Sequence, residues 1–167
     1  MNYSTSELNS EFRNLYGIKA RICSTSTPTN TLVLSQDKAI DLIELEQLLE
    51  SVGWTRRPLK LVRCALEHSL FKVGLWRHDR RIPRLLGFAR CTGDGVIEAT
   101  VWDVAVHPHY QGIGLGSAVM KYVIDTLRIM DVERVNLFAD PEVLNFYIQQ
   151  GWELEPKKRR CAFCYSA

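Results

Sequence analysis

Apolar residues recur with a helical period in some stretches of this chain and a strand period in others, and the switches between the two outline its elements. "TLVLS" (Thr31 to Ser35) reads as a short strand. The period then lengthens. Ile40, Ile43, Leu45, Leu48, Leu49 and Val52 recur at helix spacing, with Asp37 the expected N-cap and Gly53 the stop. Pro58 is expected to open a second helix with Leu59, Val62, Ala65, Leu66, Ser69 and Leu70 on one face. Period two takes over in "LFKVGLWRH" and "RLLGFARCT", joined by the polar "DRRIP" as a hairpin. "TGDG" is a tight turn, and "EATVWDVAV" (Glu98 to Val106) is a β-branched strand. Simple alternation puts Val101, Asp103 and Ala105 on one of its faces and Trp102, Val104 and Val106 on the other.

A glycine-rich loop follows, then an amphipathic helix carrying Leu115, Val119, Tyr122, Val123, Thr126 and Leu127. "RVNLFAD" is a strand, and "PEVLNFYIQQG" is a short helix started by Pro141 and ended by Gly151. "WELEP" and "CAFCY" read as closing strands. The order β-α-α-β-β-β-loop-α-β-α-β-β has no internal repeat. It predicts a mixed α/β domain over residues 31–167 around one sheet of six or seven strands. The first 30 residues, rich in Ser, Thr and Asn, read as a flexible N-terminal arm.

Composition narrows the class. With 167 residues, 46% of them hydrophobic, the chain can bury a real core. A net charge of +2 is too small to argue for nucleic acid. The short basic runs Arg56-Arg57, Arg80-Arg81 and Lys157 to Arg160 read as solvated surface, with an anionic ligand or partner the alternative. The start "MNYSTSELNSEFRNLYG" lacks an apolar core and carries acidic residues, unlike a secretory signal or a transit peptide. Five cysteines with no such signal imply free thiols in a reducing compartment, a bacterial cytosol or a plastid stroma. Cys161 and Cys164 form a lone C-x-x-C without a second pair, so thiols rather than a metal site are expected. No run approaches the roughly 18 apolar residues that span a bilayer.

The chemistry concentrates in "AVHPHYQGIGLGSAV" (Ala105 to Val119). A glycine loop between a strand and a helix is a phosphate site, because glycines expose backbone N–H groups at a helix N-terminus whose dipole favours an anion. A P-loop needs G-x-x-x-x-G-K-[ST], and no lysine stands in place here. A Rossmann fingerprint needs G-x-G-x-x-G, whereas Gly112, Gly114 and Gly116 give G-x-G-x-G. The remaining pattern is [Q/R]-x-x-G-x-[G/A], met by Gln111, Gly114 and Gly116, and it needs no lysine.

With Val106, Pro108, Tyr110 and Gln111 before these glycines, and Phe146, Tyr147, Gly151 and Trp152 downstream, the chain resembles the GCN5-related N-acetyltransferases. "VGWTRRP", "GFARCTGDG", "ATVWDVAV" and "LFADPEVLNFY" are similar to the plastid and cyanobacterial type that includes plant serotonin N-acetyltransferases. The resemblance implies a mostly antiparallel sheet flanked by about four helices, with acetyl-CoA as co-substrate and no metal. It implies main-chain contacts to the cofactor from Val104, Ala105 and Val106, whose strand splays from its neighbour near Asn136 to Ala139. A pyrophosphate loop over Gln111, Gly112, Ile113, Gly114, Leu115, Gly116 and Ser117 follows, with Asn145 and Tyr147 as further cofactor contacts.

Tyr147 is the implied general acid for the leaving thiolate, with a buried helix tyrosine the bland alternative. Asp103 and Asp140 are the candidate bases. Asp103 would need a partner or a cleft, and Asp140 could instead cap the helix that starts at Pro141. His107 and His109 read as structural or exposed. Of Trp54, Trp76, Trp102 and Phe88, most are core and one or two could line an aromatic pocket. The acceptor is expected to be an arylalkylamine such as serotonin or tryptamine. Protein lysines or N-termini are the alternative, and a non-catalytic acyl-CoA-binding module is a third reading. Either a monomer or a homodimer fits.

Overall fold

The computed structural model describes residues 31–78 and 83–154. The N-terminal arm, the "DRRIP" turn from Asp79 to Ile82, the Lys157 to Arg160 run, "CAFCY" and the Cys161/Cys164 pair lie outside the described residues. The chain divides into two compact units, one ending at Leu137 and the other beginning at Phe138.

The first unit is a five-stranded sheet in the order β1 (Thr31–Ser35), β2 (Phe71–His78), β3 (Pro83–Gly93), β4 (Glu98–Val106), β5 (Arg134–Leu137). The first three pairings are antiparallel, and β4 pairs β5 in parallel. Five strands among the described residues replace the expected six or seven: Trp152 to Leu154, the start of the first expected closing strand, is not a strand. The mixed class and the mostly antiparallel sheet are as expected.

Helices α1 (Leu42–Ser51) and α2 (Leu59–Glu67) bury an apolar face on one side of the sheet. Leu45, Leu48 and Leu66 pack there with Trp76, Leu85, Phe88 and Ala105. Asp37 does not cap α1. Asp41 does, its Oδ1 accepting from the N–H groups of Ile43 and Glu44 at 2.8 and 3.0 Å. Gly53 ends the helix region at φ +87°, as its position predicts. Helix α3 (Leu115–Ile129) covers the other side, burying Leu115, Ala118, Val119, Met120, Val123 and Leu127 against β2 to β4. Gln36 Nε2 donates to Thr126 Oγ1 at 3.0 Å, tying the end of β1 to that helix. The β3–β4 turn is held by Asp94, whose Oδ1 accepts from the N–H groups of Val96, Ile97 and Glu98.

The second unit holds a 3₁₀ turn, Pro141–Val143, that runs into α4 (Leu144–Ile148). Gly151, at φ +85°, donates to Ile148 C=O at 3.0 Å, and Trp152 N–H donates to Tyr147 C=O at 3.2 Å. The predicted single helix is thus two short pieces with a glycine stop.

Candidate active site

The middle of β4 is interrupted. Phe88 stands opposite Ala105 and Arg90 opposite Trp102, so Ala89 alone faces both Asp103 and Val104. That is a β-bulge, which drops one residue out of the ladder and shifts the side-chain alternation. Asp103 adopts φ +53°, a left-handed conformation that aspartate tolerates better than most residues. Residues directly opposite one another share a face, so Trp102 and Ala105 lie on the side of Arg90 and Phe88, under α1 and α2. The expected grouping of Val101, Asp103 and Ala105 is therefore corrected, and the inserted residue is the reason.

The Asp103 carboxylate is clamped. Oδ2 accepts from Arg90 Nε at 2.5 Å, and Oδ1 accepts from Arg57 Nη1 at 3.2 Å. The Asp103 side chain is 10% exposed and Arg90 16%, whereas Arg57 is 56% exposed. The strand carboxylate thus has the partners that burial requires. Neither arginine is legible in the sequence as its partner, because they lie 13 and 46 residues away along the chain. Nearby, Trp102 is partly exposed and donates from Nε1 to Thr92 Oγ1 at 2.8 Å. Trp76 and Phe88 are fully buried core, which leaves Trp54 and Trp102 as the two of these four able to meet a ligand.

Beyond the bulge β4 runs past the end of β5 among the described residues. Its last pair with β5 is Val101 with Leu137, and among the described residues no β5 residue pairs with Asp103 to Val106. His107 N–H donates to Leu86 C=O at 2.8 Å. Hydrogen-bonded pairs alternate along an antiparallel ladder, so the main-chain groups of Val106 point away from β3, towards the β5 side of β4. Val106 C=O accepts there from Gln111 Nε2 at 2.8 Å. The Gln111 amide therefore also ties the loop to the strand.

His107 opens the loop by accepting at Nδ1 from His109 N–H at 3.3 Å. A 3₁₀ turn, Pro108–Tyr110, follows. Gly112 and Gly114 take φ +74° and +92°, and Gly114 is the N-cap of α3. The first intrahelical bond of this turn is Ala118 N–H to Gly114 C=O, 3.0 Å. The N–H groups of Leu115, Gly116 and Ser117 are thus the unsatisfied donors of a helix start, with the positive end of its dipole behind them. A Cβ added at Gly112 would meet nothing within 4 Å, so the space over the loop is open. A strand that outruns its neighbour and leads to helix-start N–H donors fits a pantetheine chain ending in a pyrophosphate.

The second unit carries Asp140, Asn145 and Tyr147. Asp140 is exposed and occupies the N-cap position of the 3₁₀ turn, but its side chain makes no capping bond, so capping does not account for it. Asn145 is exposed. Tyr147 is half-buried, with Phe146 and Trp152 edge-on at 5.0 and 6.2 Å. Burial first, and the negative charge of Asp140 second, push its phenol above the ordinary tyrosine range. The phenol therefore keeps its proton at neutral pH.

Residues 39–152 match the acetyltransferase (GNAT) family. The chain belongs to that family and is an acetyltransferase of the GNAT type. It is 59% identical over 156 residues to an "Uncharacterized N-acetyltransferase ycf52-like" of Prochlorococcus marinus, covering 93% of this chain and 87% of that one. It is 37% identical over 141 residues to "Histone acetyltransferase TAP1" of Glycine max, covering 80% of this chain and 61% of that one. Among solved structures, a GNAT family acetyltransferase from Brucella melitensis in complex with acetyl-CoA superposes with a TM-score of 0.56 at 17% identity, over 74% of this chain and 83% of that one.

Proposed function

We propose that this enzyme transfers the acetyl group of acetyl-CoA directly to a primary amine, with an arylalkylamine of the serotonin or tryptamine kind as acceptor. The observation that carries the donor half is the stretch of β4 from Asp103 to Val106, which runs past the end of β5 among the described residues and leads to the helix-start N–H donors of Leu115 to Ser117. Val104 and Val106 would align the pantetheine arm, and Gly112, Ile113 and Gly114 would let the backbone approach the pyrophosphate. Acetyl-CoA supplies an activated thioester. The amine nitrogen forms a bond to the acetyl carbon as the C–S bond breaks, so the amine must lose a proton and the departing sulfur must gain one. Tyr147, held protonated, is the donor to sulfur.

For the amine we assign Asp140 as base or anchor, because both oxygens of Asp103 already accept from guanidiniums. Partly exposed Trp102, on the Arg90 face of the sheet, supports an aromatic acceptor. The relative named a histone acetyltransferase favours a second reading, in which the acceptor is a protein lysine or N-terminus. The relatives support a bacterial cytosol or plastid stroma as the compartment. Acetyl-CoA consumption with serotonin, tryptamine, a polyamine and a lysine peptide in parallel decides the acceptor. Tyr147→Phe is expected to slow turnover by roughly 10²–10⁴-fold, the usual worth of a general acid. Full activity in that variant removes Tyr147 from the chemistry.

A further inference from the structure

A cleft of about 460 Å³ lies beside the glycine loop, between α1 and the ends of β2, β3 and β4. Its floor is apolar and buried: Leu48, Leu85 and Leu86. Its walls are polar and mostly basic. Arg77, Arg84, His107 and His109 face one carboxylate, Glu44, whose Oε1 already accepts from Leu85 N–H at 3.3 Å. Arg84 is exposed and makes no ion pair among the described residues. Because His107 Nδ1 accepts from His109 N–H, its Nε2 carries the proton in the neutral ring and is a donor. No residue of this cleft is used in the acetyl transfer proposed above.

We infer that this cleft is a second ligand site, for a small organic anion with a carboxylate or phosphate head, and that it is coupled to the cofactor loop. The Arg84 guanidinium and the imidazoles of His107 and His109 line the cleft as cationic or N–H donors of the kind such a head takes, and guanidinium is the side chain best suited to it. The apolar floor takes a short carbon body, and the volume lies within the usual range for small-molecule sites. The coupling runs through the turn between β4 and the glycines. Arg77 hydrogen-bonds the Tyr110 hydroxyl and lies 5.5 Å over its ring. Tyr110 N–H in turn donates to His107 C=O at 2.8 Å, and the next residue, Gln111, holds the end of β4. An anion bridging Arg84 of β3 and His109 of the turn pins the loop in the shape that presents its N–H donors, so it raises acetyl-CoA affinity. Coupling of this kind changes affinity by roughly 5–150-fold, and it is reciprocal.

The test uses the full chain and needs no turnover. Calorimetric titration with citrate, inorganic phosphate and acetate, at constant ionic strength against sodium chloride, is run on the wild type, Arg84→Ala and His109→Ala. Saturable binding of citrate or phosphate is expected, weakened at least tenfold in Arg84→Ala. The preferred anion should tighten CoA binding about fivefold or more, and CoA should tighten the anion by the same factor. A response shared by chloride, or unchanged in both variants, overturns the site. Saturable binding without any effect on CoA overturns the coupling. If Arg84→Ala instead weakens CoA but not 3′-dephospho-CoA, the cleft holds the cofactor's own phosphate and the proposal falls.

Discussion

Replacing Asp103 by Asn separates a structural clamp from a catalytic base. Asparagine keeps the shape of the side chain and tolerates the left-handed φ of +53°, so backbone strain does not change appreciably. What is lost is a charge 10% exposed, lying 2.5 Å from an Arg90 side chain that is 16% exposed. Removing one partner of a buried pair costs about 3–5 kcal/mol, and an exposed partner such as Arg57 adds at most about 1. The asparagine oxygen can still accept from Arg90, so about 2–3 kcal/mol is the expected net loss. For a chain of this length that is a fall of roughly 5–10 °C in the melting temperature. Thermal denaturation by circular dichroism measures it, and the difference should persist in high salt because a buried pair is little screened. The acidic limb of the pH–rate profile should stay where it is. A variant that melts within about 2 °C of the wild type yet loses that limb would show that Asp103 acts on the amine and not as a clamp.

Gly93→Ala should cost about 3 kcal/mol, seen as a lower denaturant midpoint, because its Cβ would sit 2.1 Å from Glu98 C=O at φ +145°. Gly53→Ala, at φ +87° with nothing within 4 Å, should cost only about 1. Gly112→Ala meets open space, so stability should fall by about 1 kcal/mol while KM for acetyl-CoA rises roughly tenfold and kcat holds. Burial pushes the Cys91 thiol from 9.0 up to about 12, Arg90 opposing weakly. A raised pKa stabilises fully below the unfolded value and is lost as pH climbs through the folded one. Between pH 8 and 10.5 the wild type should therefore lose about 2 kcal/mol more than Cys91→Ala. Parallel urea titrations check this, and parallel slopes would refute it.

The periodic parts of the chain were legible because each residue reports its own local geometry. Every strand from β1 to β4 lies within two residues of its expected bounds, and the glycine spacing maps directly onto the positive φ values of Gly112 and Gly114. The misplaced α1 cap has a specific cause. Ile40 fits the helical period and packs against the core, yet it lies ahead of the first turn. Periodicity alone therefore extends the helix backwards and makes Asp37 rather than Asp41 the expected cap.

The bulge was illegible for a deeper reason. Alternation assumes one residue per position on each strand, and an inserted residue breaks that rule without altering composition. The one trace is an aspartate in a β-branched run, where aspartate is disfavoured. Its partners are set by tertiary packing, 13 and 46 residues away. That single insertion organises the candidate site within the first unit. It turns Asp103 onto the Arg90 face and shifts the register, just where β4 outruns its described pairing with β5 on the way to the glycine loop. The clamp on Asp103 then reads as what holds the bulge in place. The loss of stability expected in Asp103→Asn should accordingly be accompanied by weaker acetyl-CoA binding, with the acidic limb of the pH–rate profile unmoved.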